Sequence, residues 1–117
     1  MELVALLSTG TGTWGQVSGV INSEEWNKII LVGNEFAKTK FSSQKKFEFV
    51  KVDFNKPVKE LIDEIVEKLR GKLAGMEVAL SIASGTGKEH MTLISSLIKV
   101  PVGIKFVALT KDGLVLF

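Results

Sequence analysis

The sequence predicts an α/β fold, a three-layer sandwich with a mainly parallel sheet and an antiparallel C-terminal hairpin. Three observations predict it. Short apolar runs such as Leu3-Val4-Ala5-Leu6-Leu7 are apolar on both faces, as strands covered by helices on both sides are. Between them lie amphipathic helical stretches, clearest from Pro57 to Leu69. Near the end, Asp112-Gly113 separates two apolar runs, the strongest short hairpin signal.

Taken in order, Leu3–Leu7 is the first strand, stopped by Ser8-Thr9-Gly10-Thr11-Gly12. A helix is expected from Gly15 to Trp26, with Val17, Val20, Ile21 and Trp26 on one face and two interior glycines, Gly15 and Gly19, against it. Lys28–Gly33 is a second buried strand. Residues 37–46 are polar and basic and read as a loop or a short surface helix. Phe47–Phe54 alternates and reads as a strand near an edge. Pro57 opens the next helix, where Val58, Leu61, Ile62, Ile65, Val66 and Leu69 form the stripe and Lys59, Glu60, Asp63, Glu64, Glu67 and Lys68 the wet face. Glu77–Ile82 is the fourth strand, followed by Ser84-Gly85-Thr86-Gly87. Lys88–Lys99 is a helix with Met91, Ile94, Leu97 and Ile98 expected inward, and Pro101 stops it. Gly103–Leu109 and Leu114–Phe117 complete the set, giving the order β-α-β-β-α-β-α-β-β.

Composition bounds the chemistry. At 117 residues the chain is one domain. With 15 basic and 13 acidic residues, net +2, neither duplex DNA nor a membrane surface is expected as its main partner. No cysteine excludes disulfides, thiol catalysis and Cys-type metal sites, and one histidine cannot build a His-rich one. No metal and no cofactor are expected. No apolar run reaches membrane-spanning length, and Met1–Leu7 has no basic segment of a signal peptide, so a cytoplasmic location is expected.

Both glycine turns follow a buried strand and open a helix. In wound sheets that junction collects ligands, because bare backbone and the helix amides favour an anion. Gly10, Gly12 and Gly15 form a literal G-x-G-x-x-G, and Glu35 lies where a ribose-binding acid would stand in a dinucleotide (NAD-type) module. Gly85-Thr86-Gly87-Lys88 fails as a phosphate-binding P-loop, since Glu89 stands where a hydroxyl would hold magnesium. The same residues also have plain structural uses. Glycines end strands, Ser and Thr cap helices, Trp14 packs over a sheet end as readily as on a base, and His90 is most simply a surface residue. The lysines at 38, 40, 45 and 46 read as a solvated loop, and no Ser-His-Asp set or carboxylate pair is positioned.

The apolar N-terminal strand running into a Ser/Thr-Gly turn, with a later strand ending in Ser84-Gly85-Thr86-Gly87-Lys88 before an apolar helix, resembles the CARF domain (CRISPR-associated Rossmann fold). The likeness follows the order of elements over most of the chain, but the specific motif is about five residues long, and Gly87 before Lys88 departs from the family pattern. The resemblance implies a Rossmann-like homodimer that binds cyclic oligoadenylate across its two-fold axis. Ser8, Thr9, Gly10, Thr11 and Gly12 with Trp14 would form one wall, and Ser84, Gly85, Thr86, Gly87 and Lys88 the other. It further implies a metal-independent ring nuclease as one outcome, with Ser8, Thr9 and Lys88 as its catalytic residues. A dinucleotide-binding module and a non-enzymatic subunit of a larger assembly are the rival expectations.

Overall fold

The computed structural model describes residues 1–117 and shows a three-layer, Rossmann-like α/β sandwich. In chain order it consists of β1 (Glu2–Leu7), α1 (Trp14–Asn22), β2 (Lys28–Gly33), α2 (Glu35–Lys40), β3 (Glu48–Lys51), α3 (Val58–Leu69), β4 (Glu77–Ser81), α4 (Gly87–Lys99), β5 (Gly103–Thr110) and β6 (Gly113–Leu116). A 3-10 turn, Thr11–Thr13, leads into α1.

The sheet order is β3-β2-β1-β4-β5-β6. All neighbours are parallel except the β5–β6 hairpin, in which Val107 faces Leu116 and Thr110 faces Gly113. β1 is central, and every one of its residues is buried. Its alternation supplies both cores. Val4 and Leu6 join Leu61, Ile65, Leu69, Leu93 and Leu97 under α3 and α4. Leu3, Ala5 and Leu7 join Val17, Val20, Ile21 and Ala37 under α1 and α2. Burying one such aliphatic side chain contributes about 1.5–3 kcal/mol.

Several expectations are corrected. The helix expected over Gly15–Trp26 ends at Asn22, where Ser23 Oγ bonds back to the Gly19 carbonyl. Trp26 lies beyond it in the following loop, its Nε1 donating to Val20 O. Gly19 is not a weakness in α1, because a Cβ there would stand 2.4 Å from Leu109 Cδ2, so its absence lets α1 sit close on β5. A short α2 occupies residues 35–40, capped by Asn34 Oδ1, which accepts from Ala37 N. The strand expected over 47–54 is shorter, Glu48–Lys51, at the edge foreseen for it, with Val52 N still donating to Gly33 O of β2 at 2.8 Å. Pro57 stands just outside α3, as its N-cap. In α4, Leu97 is buried as expected, but Met91 and Ile98 are exposed, and Leu93, Thr92 and Ser96 take the inward positions.

Candidate functional site

β1 and β4 are direct parallel neighbours, with Ala5 opposite Ser81, so the turns that follow them emerge together at one edge of the sheet. The strand order reverses between them, which is where wound sheets leave a crevice. One hydrogen bond joins the turns: Ser8 N donates to Ser84 Oγ at 2.9 Å, both residues being buried. Trp14 Nε1 donates to Ser8 O at 2.9 Å, and His90 Nε2 donates to Ser84 O at the same distance. Four residues from two turns far apart in sequence thus form one chain of contacts. His90 is half-buried and meets this junction through that one bond.

The first turn is open. Thr9, Gly10, Thr11 and Gly12 are exposed, and no side chain caps the 3-10 turn or α1. Neither first turn contains an acidic residue. A Cβ added at Gly10, Gly12 or Gly15 would meet no atom within 4 Å, and none of these glycines has a positive φ. The backbone there does not require glycine; glycine simply leaves the amides bare. Uncapped amides at a helix start carry partial positive charge and lack intrahelical partners.

The second turn is closed by its own side chains. Gly85 has φ +113°, and a Cβ would lie 2.4 Å from Leu6 Cδ2, so glycine is required on both counts. Thr86 Oγ1 accepts from Glu89 N at 3.2 Å, while Glu89 Oε1 accepts from Thr86 N at 2.8 Å. This capping box places a buried carboxylate at the start of α4, where a ligand anion would otherwise sit. The exposed Lys88 donates from Nζ to Lys56 O at 2.8 Å, toward the chain entering α3. That chain is itself held: Lys56 Nζ lies 2.7 Å from Glu64 Oε1, and Lys68 lies 3.0 Å from Glu64 Oε2. The hydrogen bond from Lys56, then that from Lys68, holds the Glu64 carboxyl below its ordinary value, and the bond to Glu64 raises the Lys56 ammonium.

Beside the first turn, a cleft of about 420 Å³ runs along the carboxyl ends of β1, β2 and β3. Thr9, Glu35, Phe36, Lys51, Asp53 and Glu89 are among its lining residues. Glu35 pairs with Lys51 at 3.2 Å, both side chains exposed. Trp14 packs behind Phe36, one of the lining residues, its ring 6.0 Å from Phe36 and 5.7 Å edge-on from Phe41. It is thereby committed to packing and to Ser8. The lysine loop lies elsewhere, with Lys45 paired to Glu25 at 3.6 Å.

The sequence reading brought the two turns together, as the β1–β4 pairing does, but did not see Glu89 as a cap, although Thr86-x-x-Glu89 is a capping-box spacing. It also missed Phe36 and Asp53 in the cleft, for which no motif existed. No group of three or more His, Cys, Asp or Glu side chains is placed to hold a metal ion, and no helix is long and apolar enough to cross a membrane. Neither a protein-family model nor a curated protein matches this sequence.

Proposed function

We propose that the chain binds a phosphodiester ligand of nucleotide type, cyclic oligoadenylate before others, with phosphate over Thr9, Gly10, Thr11 and Gly12. The observation that carries the reading is the open first turn: uncapped amides, three glycines facing free space and no acid in the first turn of the helix. The resemblance to CARF domains supplies the identity of the ligand. Ser8 and Ser84 act from beneath, fixing one turn against the other. Gly85, Thr86 and Gly87 bound the ligand on the far side, and Glu89 keeps its charge on the first turn by repulsion.

Ring cleavage is the second step of this proposal. A ribose 2′-hydroxyl attacks the adjacent phosphorus, the P–O5′ bond breaks, and the 2′-hydroxyl proton passes to O5′, leaving a 2′,3′-cyclic phosphate. Positioning and charge neutralisation are all that this chemistry asks of the protein. Thr9, exposed, orients the reacting ribose more directly than the buried Ser8. Lys88 neutralises the phosphorane after leaving the Lys56 carbonyl, a swing its flexible stem permits.

A panel of cyclic tri-, tetra- and hexa-adenylate, NAD and ATP, read by melting temperature, tests the proposal. One cyclic ligand should raise it, and Gly12→Ala and Lys88→Ala should each weaken that ligand at least about tenfold, which is about 1.4 kcal/mol. Unchanged affinity in both variants overturns the site. Chromatography of the incubated ligand then decides cleavage. A second reading, an NAD-type module, is favoured by one observation, that Glu35 and Thr9 line the same cleft. It requires an NAD-dependent rise that Glu35→Ala abolishes. No response to any ligand favours the assembly subunit.

A further inference from the structure

The two edges of the sheet are finished differently. β3 closes one edge with charge. Glu48 pairs with Lys28 and Lys72, Lys51 pairs with Glu35, and Lys68 Nζ donates to the Lys51 carbonyl at 2.6 Å. Charges of this kind keep another chain from pairing with an edge. β6 closes the other edge with Gly113-Leu114-Val115-Leu116 and carries no charge. Phe106 and Phe117 exchange both backbone hydrogen bonds, each 2.8 Å, and antiparallel pairs alternate between bonded and unbonded. Val115 and Gly113 therefore bond inward to β5, opposite Ala108 and Thr110, while the N–H and C=O groups of Leu114 and Leu116 point out of the sheet edge. The side chains alternate as well. Val115 and Phe117, 41% and 68% exposed, share a face with the ring of Phe106, and Leu114 and Leu116 lie on the other face. Charge is uneven along the chain. Every ion pair lies between residues 25 and 72. Beyond Glu89 the only acid is Asp112, against Lys99, Lys105 and Lys111, all exposed and all outside those pairs. Lys111 stands in the turn before β6, and Lys105 lies on β5 just past the level of Phe117. A lysine thus flanks each end of the bare edge.

We propose that the β6 edge takes up an extended segment of a partner protein as a further strand, and that this segment alternates apolar with acidic residues. Leu114 and Leu116 offer the outward backbone groups that strand addition uses. The two faces set the alternation. Apolar side chains of the added strand continue the surface of Val115 and Phe117. Its carboxylates lie on the opposite face, where Lys105, which alternates with Phe106, projects. A second copy of β6 does not fit this edge. Aligned antiparallel, it would set Lys111 of each chain beside Lys105 of the other. Aligned parallel, it would set each lysine beside its own copy. Like charges disfavour both. The proposal does not rest on the nucleotide reading, since β4 and β5 stand between β6 and the strand that carries the open glycine turn.

Amide hydrogen exchange of the whole chain, read by NMR without nucleotide, tests it. The probe is an end-blocked octapeptide alternating valine and glutamate. It should slow exchange at Leu114 and Leu116 at least about tenfold and leave Val115, already bonded to β5, unchanged. The same peptide with lysine for glutamate should bind at least about tenfold more weakly. Leu116→Pro removes one outward N–H without touching the ladder to β5, and should abolish the slowing at Leu114. Lys105→Glu combined with Lys111→Glu, both exposed positions, should reverse the preference between the two peptides. No slowing with the glutamate peptide, equal binding of both peptides, or an unchanged preference in the double variant overturns the proposal. So does a chain of twice 12.8 kDa in which these two amides are already protected, because a second copy then holds the edge. Because no nucleotide is present, failure here and failure of the nucleotide reading are separate results.

Discussion

Gly10, Gly12 and Gly15 of the first turn face open space at ordinary φ, whereas Gly85 of the second is wedged above Leu6 at φ +113°. The amides differ in the same sense. Those of the first turn have no side-chain cap, and those of the second are answered by Thr86 and Glu89. A glycine-rich junction after a strand is therefore two different things. One kind leaves backbone for a visitor, and the other lets the chain turn and then seals itself. Ser8 and Ser84 bolt the open turn to the sealed one.

The largest effect that could break this contrast is Gly85→Ala. Strain at positive φ and the clash with Leu6 should together cost about 2–4 kcal/mol, read by urea unfolding. A neutral result would make the second turn as permissive as the first. Ser84→Ala comes next. It leaves the buried Ser8 N–H without a partner, which costs about 1–3 kcal/mol and should speed hydrogen exchange at Ser8. Gly15→Ala has the opposite sign. An exposed glycine inside α1, with free space where the methyl would go, should stabilise by about 0.5–1 kcal/mol on substitution. If it instead destabilises, the first turn is structural too.

The smallest effect concerns the ledge on which Lys88 rests. Glu64 has a depressed carboxyl value, so its contribution is complete above the ordinary value of 4.5 and is lost as pH falls through and below it. Lys56 has a raised value, so its contribution is complete below the ordinary 10.5 and is lost as pH rises past that. Glu64→Gln should therefore flatten the acid side of the stability profile by less than about 1 kcal/mol, and the difference from wild type should vanish at the lowest pH.

Most of the fold was legible because it is written in local patterns. The apolar runs at Leu3–Leu7 and Lys28–Gly33 and the stripe of α3 lie where the periodicity placed them. α2 was not legible as a definite helix, since six residues with Ala37 alone buried show no period. In α4 the spacing identified an apolar face but not what covers it. Met91 and Ile98 satisfy the same periodicity as core residues and are nevertheless exposed, because no helix or strand of this chain reaches them. At the site, the pairing of the two turns followed from topology, and the capping box was readable but overlooked. The Ser8–Ser84 bond spans 76 residues, and nothing local encodes it.

The central place of β1 bears on how the chain is made. β1 is synthesised before the five other strands of this sheet, and β2 follows soon after to cover one side of it. The other side waits for residues 77–81. Until then the nascent half displays an uncharged edge, Leu3 to Leu7, with open hydrogen-bonding groups, the kind of edge that seeds association between chains. Translation through α3 is thus the interval in which a holding chaperone would have the most to protect.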